Sequence, residues 1–250
     1  MRICRYRHGR EVGFGVLEDG TVAAIGPHPF GPFQYTGTRL PGGEVRLLAP
    51  VLPTKIVAVG RNYAEHAKEL GNEPPSEPII FLKPPSALLS PGATIIRPPQ
   101  SQRVDYEGEL AIVIGSRARN IRADRWREVV QGFTCGNDVT ARDLQKKDVQ
   151  FTRGKSFDTF CPIGPSIETD LDPADLSIVT RVNGDIKQNG RTSMMVFPCG
   201  VLIEFISSVM TLEPGDVILT GTPAGVGPLG GGDTVEVEIE GIGTLRNYVA

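Results

Sequence analysis

Apolar and polar residues alternate with a period of two in several short runs of this chain, which is the signature of half-buried strands. Residues 3–6, 12–18 and 21–25 read this way, and Asp19-Gly20 between the last two is a hairpin turn signal. Residues 26–43 are rich in Pro and Gly and read as a linker. Short apolar runs at 55–60, 78–82 and 217–220 predict buried strands, and 179–183 a strand closed by the turn Asn183-Gly184. Residues 234–239 alternate cleanly. Helical spacing appears at 61–70, stopped by Gly71-Asn72, and at 125–131. It recurs at 201–210, where Leu202, Phe205, Ile206 and Val209 share a face. Thr140-Ala-Arg-Asp143 has the form of a capping box for a helix running to Lys147. The predicted architecture is α+β, mainly β, with a few short helices. Residues 1–50 read as a small N-terminal β domain and residues 51–250 as the main body.

Composition supports a turn-rich sheet protein. The 250 residues include 30 glycines and 21 prolines, more than average usage supplies. The net charge of -3 comes without a basic patch, so no nucleic-acid or membrane-surface partner is expected. The charged start (Arg2, Arg5, Arg7, Arg10) is unlike a secretory leader, and no apolar run is long enough to span a bilayer. Cys4, Cys135, Cys161 and Cys199 form no C-x-x-C pair, so free thiols in the cytoplasm are expected.

The most informative segment is residues 104–115, read as one long strand. Residues two apart share a face, so Asp105, Glu107 and Glu109 project together and that face continues into apolar Ala111 and Val113. Clustered carboxylates repel one another unless a cation neutralises them, and hard divalent ions prefer such oxygens. Alone, the pattern also fits a solvated acidic face. Asp138 lies at a strand-to-helix junction, where it could be a third ligand or simply a helix cap.

Three further residues attract attention. His66 and Glu69 are three apart and share a helix face, as an imidazole and an orienting carboxylate do, or as an ordinary surface pair does. Lys155 lies between Phe151 and Phe157, which suggests partial burial next to an anion. Gly154-Lys155-Ser156 is not a phosphate-binding loop, because Val149 stands where that motif needs glycine.

Six ordered segments carry a family resemblance. They are Val59-Gly-Arg-Asn-Tyr-Ala-Glu-His66, Pro78-Ile-Ile-Phe-Leu-Lys-Pro84, Asp105-Tyr-Glu-Gly-Glu109, Gly136-Asn-Asp-Val-Thr-Ala-Arg-Asp143, Gly154-Lys-Ser-Phe157 and Leu219-Thr-Gly-Thr-Pro-Ala-Gly-Val-Gly227. Together they resemble the fumarylacetoacetate hydrolase family over the chain from about residue 55 onward. The resemblance implies a mixed β-roll as the catalytic domain, with a small N-terminal domain, and a homodimer. It implies that Glu107, Glu109 and Asp138 hold Mg²⁺, with Mn²⁺ or Ca²⁺ as alternatives. His66 and Glu69 would form a catalytic dyad and Lys155 an active-site lysine. Arg61, Tyr63, Lys83, Arg142 and Gln145 would contact substrate, and Thr222 would lie near the substrate carboxylate. The implied substrate is a small 2-oxo acid. The implied reaction is acylpyruvate hydrolysis or oxaloacetate decarboxylation through a metal-stabilised enolate. The alternatives are 2-hydroxyhepta-2,4-diene-1,7-dioate isomerisation, 5-oxopent-3-ene-1,2,5-tricarboxylate decarboxylation, or an inactive binding protein on the same fold. The distal part of the substrate is expected to meet residues 72–76 and the first domain.

Overall fold

A computed structural model describes all residues, 1–250. The predicted alternation becomes three sheets. The largest runs in the order Tyr35–Pro41, Thr21–Ile25, Glu11–Glu18, Arg2–His8, Cys161–Glu168, Val130–Asn137, Gly108–Ile114, Val217–Leu219, Ile56–Gly60 and Ile79–Lys83. The first fifty residues extend this sheet, because Ile3 pairs with Ile167. A five-stranded sheet combines Asp185–Arg191, Ser177–Val182, Thr234–Ile239, Gly243–Val249 and Thr94–Ile95. A small third sheet joins Thr140–Ala141, Val104–Tyr106 and Gly227–Pro228.

Strand Gly108–Ile114 is buried along its whole length because both its faces meet a core. Leu110, Ile112 and Ile114 face a cluster that includes Ile178, Val237 and helix residues Leu202, Ile203 and Ile206. Ala111 and Val113 face a second cluster with Ile3, Ile56 and Leu219. The carboxylate face read from the sequence therefore does continue into apolar core.

Several sequence expectations change. The stretch read as a linker contains strand Tyr35–Pro41, an edge strand exposed at every residue but half-buried Leu40. The helix expected over 61–70 is only Ala64–Glu69, because Arg61 takes a left-handed φ of 60° and Tyr63 is extended. The helix expected over 201–210 spans Cys199–Val209. Its buried face is Leu202, Ile203 and Ile206, while Val209 at its last turn is exposed. The capping box does not form. Helix Arg142–Lys147 starts without a side-chain cap, Thr140 Oγ1 donates to Asp138 O, and Asp143 accepts from Ser101 Oγ and the Gln102 and Leu144 N–H groups. The turns at Asp19-Gly20 and Asn183-Gly184 hold, each with positive φ at both residues. All four cysteines are free and buried. No helix is long and apolar enough to cross a membrane.

Candidate metal centre and active site

The strand expected over 104–115 is broken at Glu107. Val104–Tyr106 pairs within the small sheet, and Gly108–Ile114 within the large one. The break turns the chain from one sheet to the other, with Glu107 at the turning point and Glu109 two residues beyond it. Gly108 is needed there. A Cβ would collide with Thr180 Oγ1 and crowd Gln188 Oε1. Gly108→Ala is expected to cost at least about 1–3 kcal/mol of stability through overpacking, read by urea unfolding.

Asp138 follows strand Val130–Asn137, which pairs with Gly108–Ile114, and its N–H donates to Glu107 O at 2.9 Å. One carboxylate oxygen from each of Glu107, Glu109 and Asp138 lies within 4.8 Å of the others, and all three residues are buried. Burial pushes the Glu109 carboxyl well above its ordinary pKa, and the negative Asp138 and Glu107 push it the same way. Burial acts upward on Glu107 too, but Lys155 and Arg142 outweigh it and hold that group well below the carboxylate range. Three hard oxygen donors with this much mutual repulsion fit a divalent cation.

Cations of the chain surround the cluster. Lys155, on the short helix Thr152–Lys155, donates to Glu107 Oε2 and Asp138 Oδ2, both at 2.6 Å. Burial opposes its charge, but Asp138 and Glu107 win and raise its pKa, so it is an ammonium. Lys83 donates to Asp138 Oδ1 at 2.6 Å. Arg142 donates to Glu107 Oε1 at 2.5 Å, to Asp105 Oδ2 at 2.9 Å and to Gln145 Oε1 at 2.7 Å. Asp105 is buried but stays out of the carboxylate cluster and serves to hold Arg142. Lys83→Met is expected to destabilise the metal-free protein by roughly 3 kcal/mol in thermal or urea unfolding, because it strips one partner from a buried charge.

A cavity of about 230 Å³ opens over the carboxylates. That volume is below the range of drug-sized ligand pockets and suits a small acid. Its walls include His66, Arg61, Gln145, Thr222 and the aromatic pair Phe81 and Phe151, whose rings meet edge to face at 5.4 Å. The Lys155 ammonium also lies 5.2 Å from the Phe81 ring centre. His66 is 5% exposed, and its Nδ1 lies 3.4 Å from Glu69 Oε2. The Glu69 carboxylate in turn accepts from Gly225 N at 3.1 and 3.2 Å.

Most residues singled out in the sequence converge here, with three exceptions in detail. Tyr63 does not line the cavity. It is buried in the main core, 1% exposed, with its hydroxyl unpartnered, because the helix starts only after it. Lys83 is likewise fully buried and reaches Asp138 from behind, not the cavity. Glu69 stands behind His66 and outside the lining. Asn72 does line the cavity, but no residue of 1–50 does, so the first fifty residues make no wall of the site. Sequence reading missed Phe81, Lys146 and Asn62. Asn62 is fully buried and ties the strand-to-helix turn to Thr220 O and Phe197 O.

The profile of the fumarylacetoacetate hydrolase C-terminal domain matches residues 55–250. The chain belongs to the fumarylacetoacetate hydrolase family. It is an enzyme family, and the fold is that of its solved members. A second profile, Rv2993c-like N-terminal, matches residues 1–50. Human mitochondrial oxaloacetate tautomerase FAHD2A is 48% identical over 84% of this chain and 71% of its own length. The structure of 2-hydroxyhepta-2,4-diene-1,7-dioate isomerase from Mycobacterium marinum matches with a TM-score of 0.94 and 49% identity, covering 100% of this chain and 98% of that one. Fumarylpyruvate hydrolase from Pseudomonas aeruginosa, solved with Mn²⁺ and pyruvate, matches with a TM-score of 0.76 and 33% identity over 82% of this chain and 91% of that one.

Proposed function

We propose that this protein is a divalent-metal-dependent enzyme that interconverts the enol and keto forms of a small 2-oxo dicarboxylic acid such as oxaloacetate. The observation that carries the reading is the convergence of Glu107, Glu109 and Asp138 beneath a small cavity whose wall holds the His66–Glu69 pair. Mg²⁺ or Mn²⁺ bound by the three carboxylates would supply Lewis-acid polarisation of the 2-oxo group.

The remaining work falls to side chains. Lys155 carries a fixed positive charge at the cavity floor and stabilises negative charge developing on the substrate's oxygen. His66 is the cavity's only imidazole, with its ring oriented by Glu69. It delivers a proton to the carbon next to the 2-oxo group in ketonisation while the enol hydroxyl gives its proton to solvent, and both transfers reverse in enolisation. Arg61, which has no ion-pair partner in the chain, meets a substrate carboxylate. Phe81 and Phe151 give the cavity an apolar wall.

Likeness to an oxaloacetate tautomerase supports proton transfer as the leading reaction, and likeness to a 2-hydroxyhepta-2,4-diene-1,7-dioate isomerase supports the same class of rearrangement. The second reading is C–C cleavage, either acylpyruvate hydrolysis or oxaloacetate decarboxylation. It is favoured by the hydrolase neighbour that binds Mn²⁺ and pyruvate. In hydrolysis His66 would deprotonate a water instead of a carbon.

One sample separates the two. The ultraviolet absorbance of enol-oxaloacetate is followed with Mn²⁺ present while pyruvate is assayed in parallel, and acetylpyruvate is tested alongside. Accelerated enol loss without matching pyruvate is expected. Pyruvate formed in step with the decay, or released from acetylpyruvate, transfers the assignment to cleavage. No acceleration and no pyruvate with a folded, metal-loaded sample would sink both.

A further inference from the structure

At the break in the carboxylate strand, the N–H groups of Glu107 and Gly108 donate to side chains instead of to a neighbouring strand. Buried N–H groups must find acceptors. Asn137 Oδ1 takes the Glu107 N–H at 2.9 Å, and Gln188 Oε1 takes the Gly108 N–H at 2.9 Å. Gln188 comes from strand Asp185–Arg191, 80 residues further along, and is fully buried. Its amide nitrogen donates to Thr222 Oγ1 at 2.7 Å and to Pro223 O at 2.8 Å.

The orientation of this amide is fixed by its neighbours. The Gly108 N–H can only donate and the Pro223 carbonyl can only accept, so the oxygen must face the first and the nitrogen the second. Thr222 Oγ1 itself donates to Gly108 O at 2.8 Å. A hydroxyl has one proton. With that proton on Gly108 O and one lone pair on Gln188, Thr222 has only a lone pair left to offer the cavity it lines.

We propose that Gln188 is a positioning residue of the active site, which braces Gly108 between the two glutamates and fixes the Thr222 hydroxyl as a hydrogen-bond acceptor toward the cavity. The inference rests on reading that cavity as the place of reaction. A group facing the Thr222 oxygen must bring its own proton, as an enol hydroxyl or a water does and a carboxylate does not. The same strand sets the approach of the loop beyond Thr222. A Cβ on Gly225, whose N–H holds Glu69, would collide with the carbonyl of Lys187. The strand through Lys187 and Gln188 therefore backs the metal carboxylates, the Thr222 hydroxyl and the brace of His66.

The test uses two variants of the full chain. Gln188→Met keeps the volume and removes every hydrogen bond. Gln188→Glu keeps an acceptor for Gly108 and removes both donors. Mn²⁺ affinity is measured by titration, kcat and KM with oxaloacetate, and folding by thermal melting. Gln188→Met is expected to weaken Mn²⁺ binding by on the order of 10-fold or more and to lower kcat/KM at least as much. Gln188→Glu is expected to recover Mn²⁺ affinity to within about 3-fold of the parent, while KM stays about 10-fold raised, because the Thr222 hydroxyl loses its donor and can turn its proton from Gly108 O to the new carboxylate. If both variants melt earlier but bind Mn²⁺ and turn over substrate like the parent, Gln188 is structural only and the proposal fails. Should Gln188→Met not fold, Gln188→Glu decides through KM. Should the parent turn over no oxaloacetate, the functional reading falls, and the Mn²⁺ titrations still decide the role of Gln188.

Discussion

Glu109→Gln is expected to weaken Mn²⁺ binding by more than the roughly 10–100-fold that removing a supporting residue costs, and to take the metal-dependent activity with it. Glu109 is the carboxylate of the three without a cationic partner: its Oε2 accepts only the Gly221 N–H, at 2.7 Å. Glu107 and Asp138 are each held by two cationic side chains. The substitution keeps the shape and the acceptor for Gly221 but removes the charge that most needs a cation. The same change should make the metal-free protein more stable, because burial and the negative Asp138 and Glu107 already oppose ionisation of Glu109. Thermal melting with and without EDTA reads both halves. The parent should gain stability on adding Mn²⁺ and the variant should not, while the variant should melt higher than the parent in EDTA. Undiminished Mn²⁺ affinity in the variant would remove Glu109 from the metal site.

His66→Ala is expected to lower kcat by about 10²–10⁴-fold, the usual worth of a general acid–base group, with Mn²⁺ affinity unchanged. The separation of the two readouts matters. His66 lies on helix Ala64–Glu69, on the cavity wall, and makes no bond to the three carboxylates. Glu69→Gln should act in the same direction but less strongly, since it weakens the orientation of the ring and the tie to Gly225 without removing the proton carrier. Full activity in His66→Ala would place the proton transfer on another group, such as Lys155, which also lines the cavity.

The parts of the site that were legible in the sequence are those that lie close together along it. Strand alternation alone places Glu107 and Glu109 on one face, and the structure keeps them there. The i, i+3 spacing of His66 and Glu69 survives, although the helix begins three residues later than its composition suggests. The break at Glu107 was hidden, because the period-two alternation of residues 104–109 runs straight through it and gives no sign that the two halves pair with different sheets. The partners of the buried charges were hidden for a related reason. Asp105 meets Arg142 across 37 residues and Lys83 meets Asp138 across 55, separations at which no periodicity speaks. Gln188 lies on a strand whose other residues are mostly exposed, so nothing in its neighbours marks it as buried. Strand Tyr35–Pro41 was missed because an exposed edge strand has no apolar face to alternate. The family motifs repaired part of this deficit. They pointed to Lys83 and Tyr63 as site residues, but only the three-dimensional arrangement shows that one acts from behind Asp138 and the other lies in the core.

On the proposed reading, the three buried carboxylates make this cavity a metal-dependent site for the enol chemistry of a 2-oxo acid. The most direct test is the rate of enol-oxaloacetate ketonisation by the EDTA-treated protein as Mn²⁺ is added back. No acceleration over the uncatalysed rate is expected before addition, and then a saturable rise that follows Mn²⁺ binding to one site and is absent in Glu109→Gln. Equal acceleration with and without Mn²⁺ would contradict that reading.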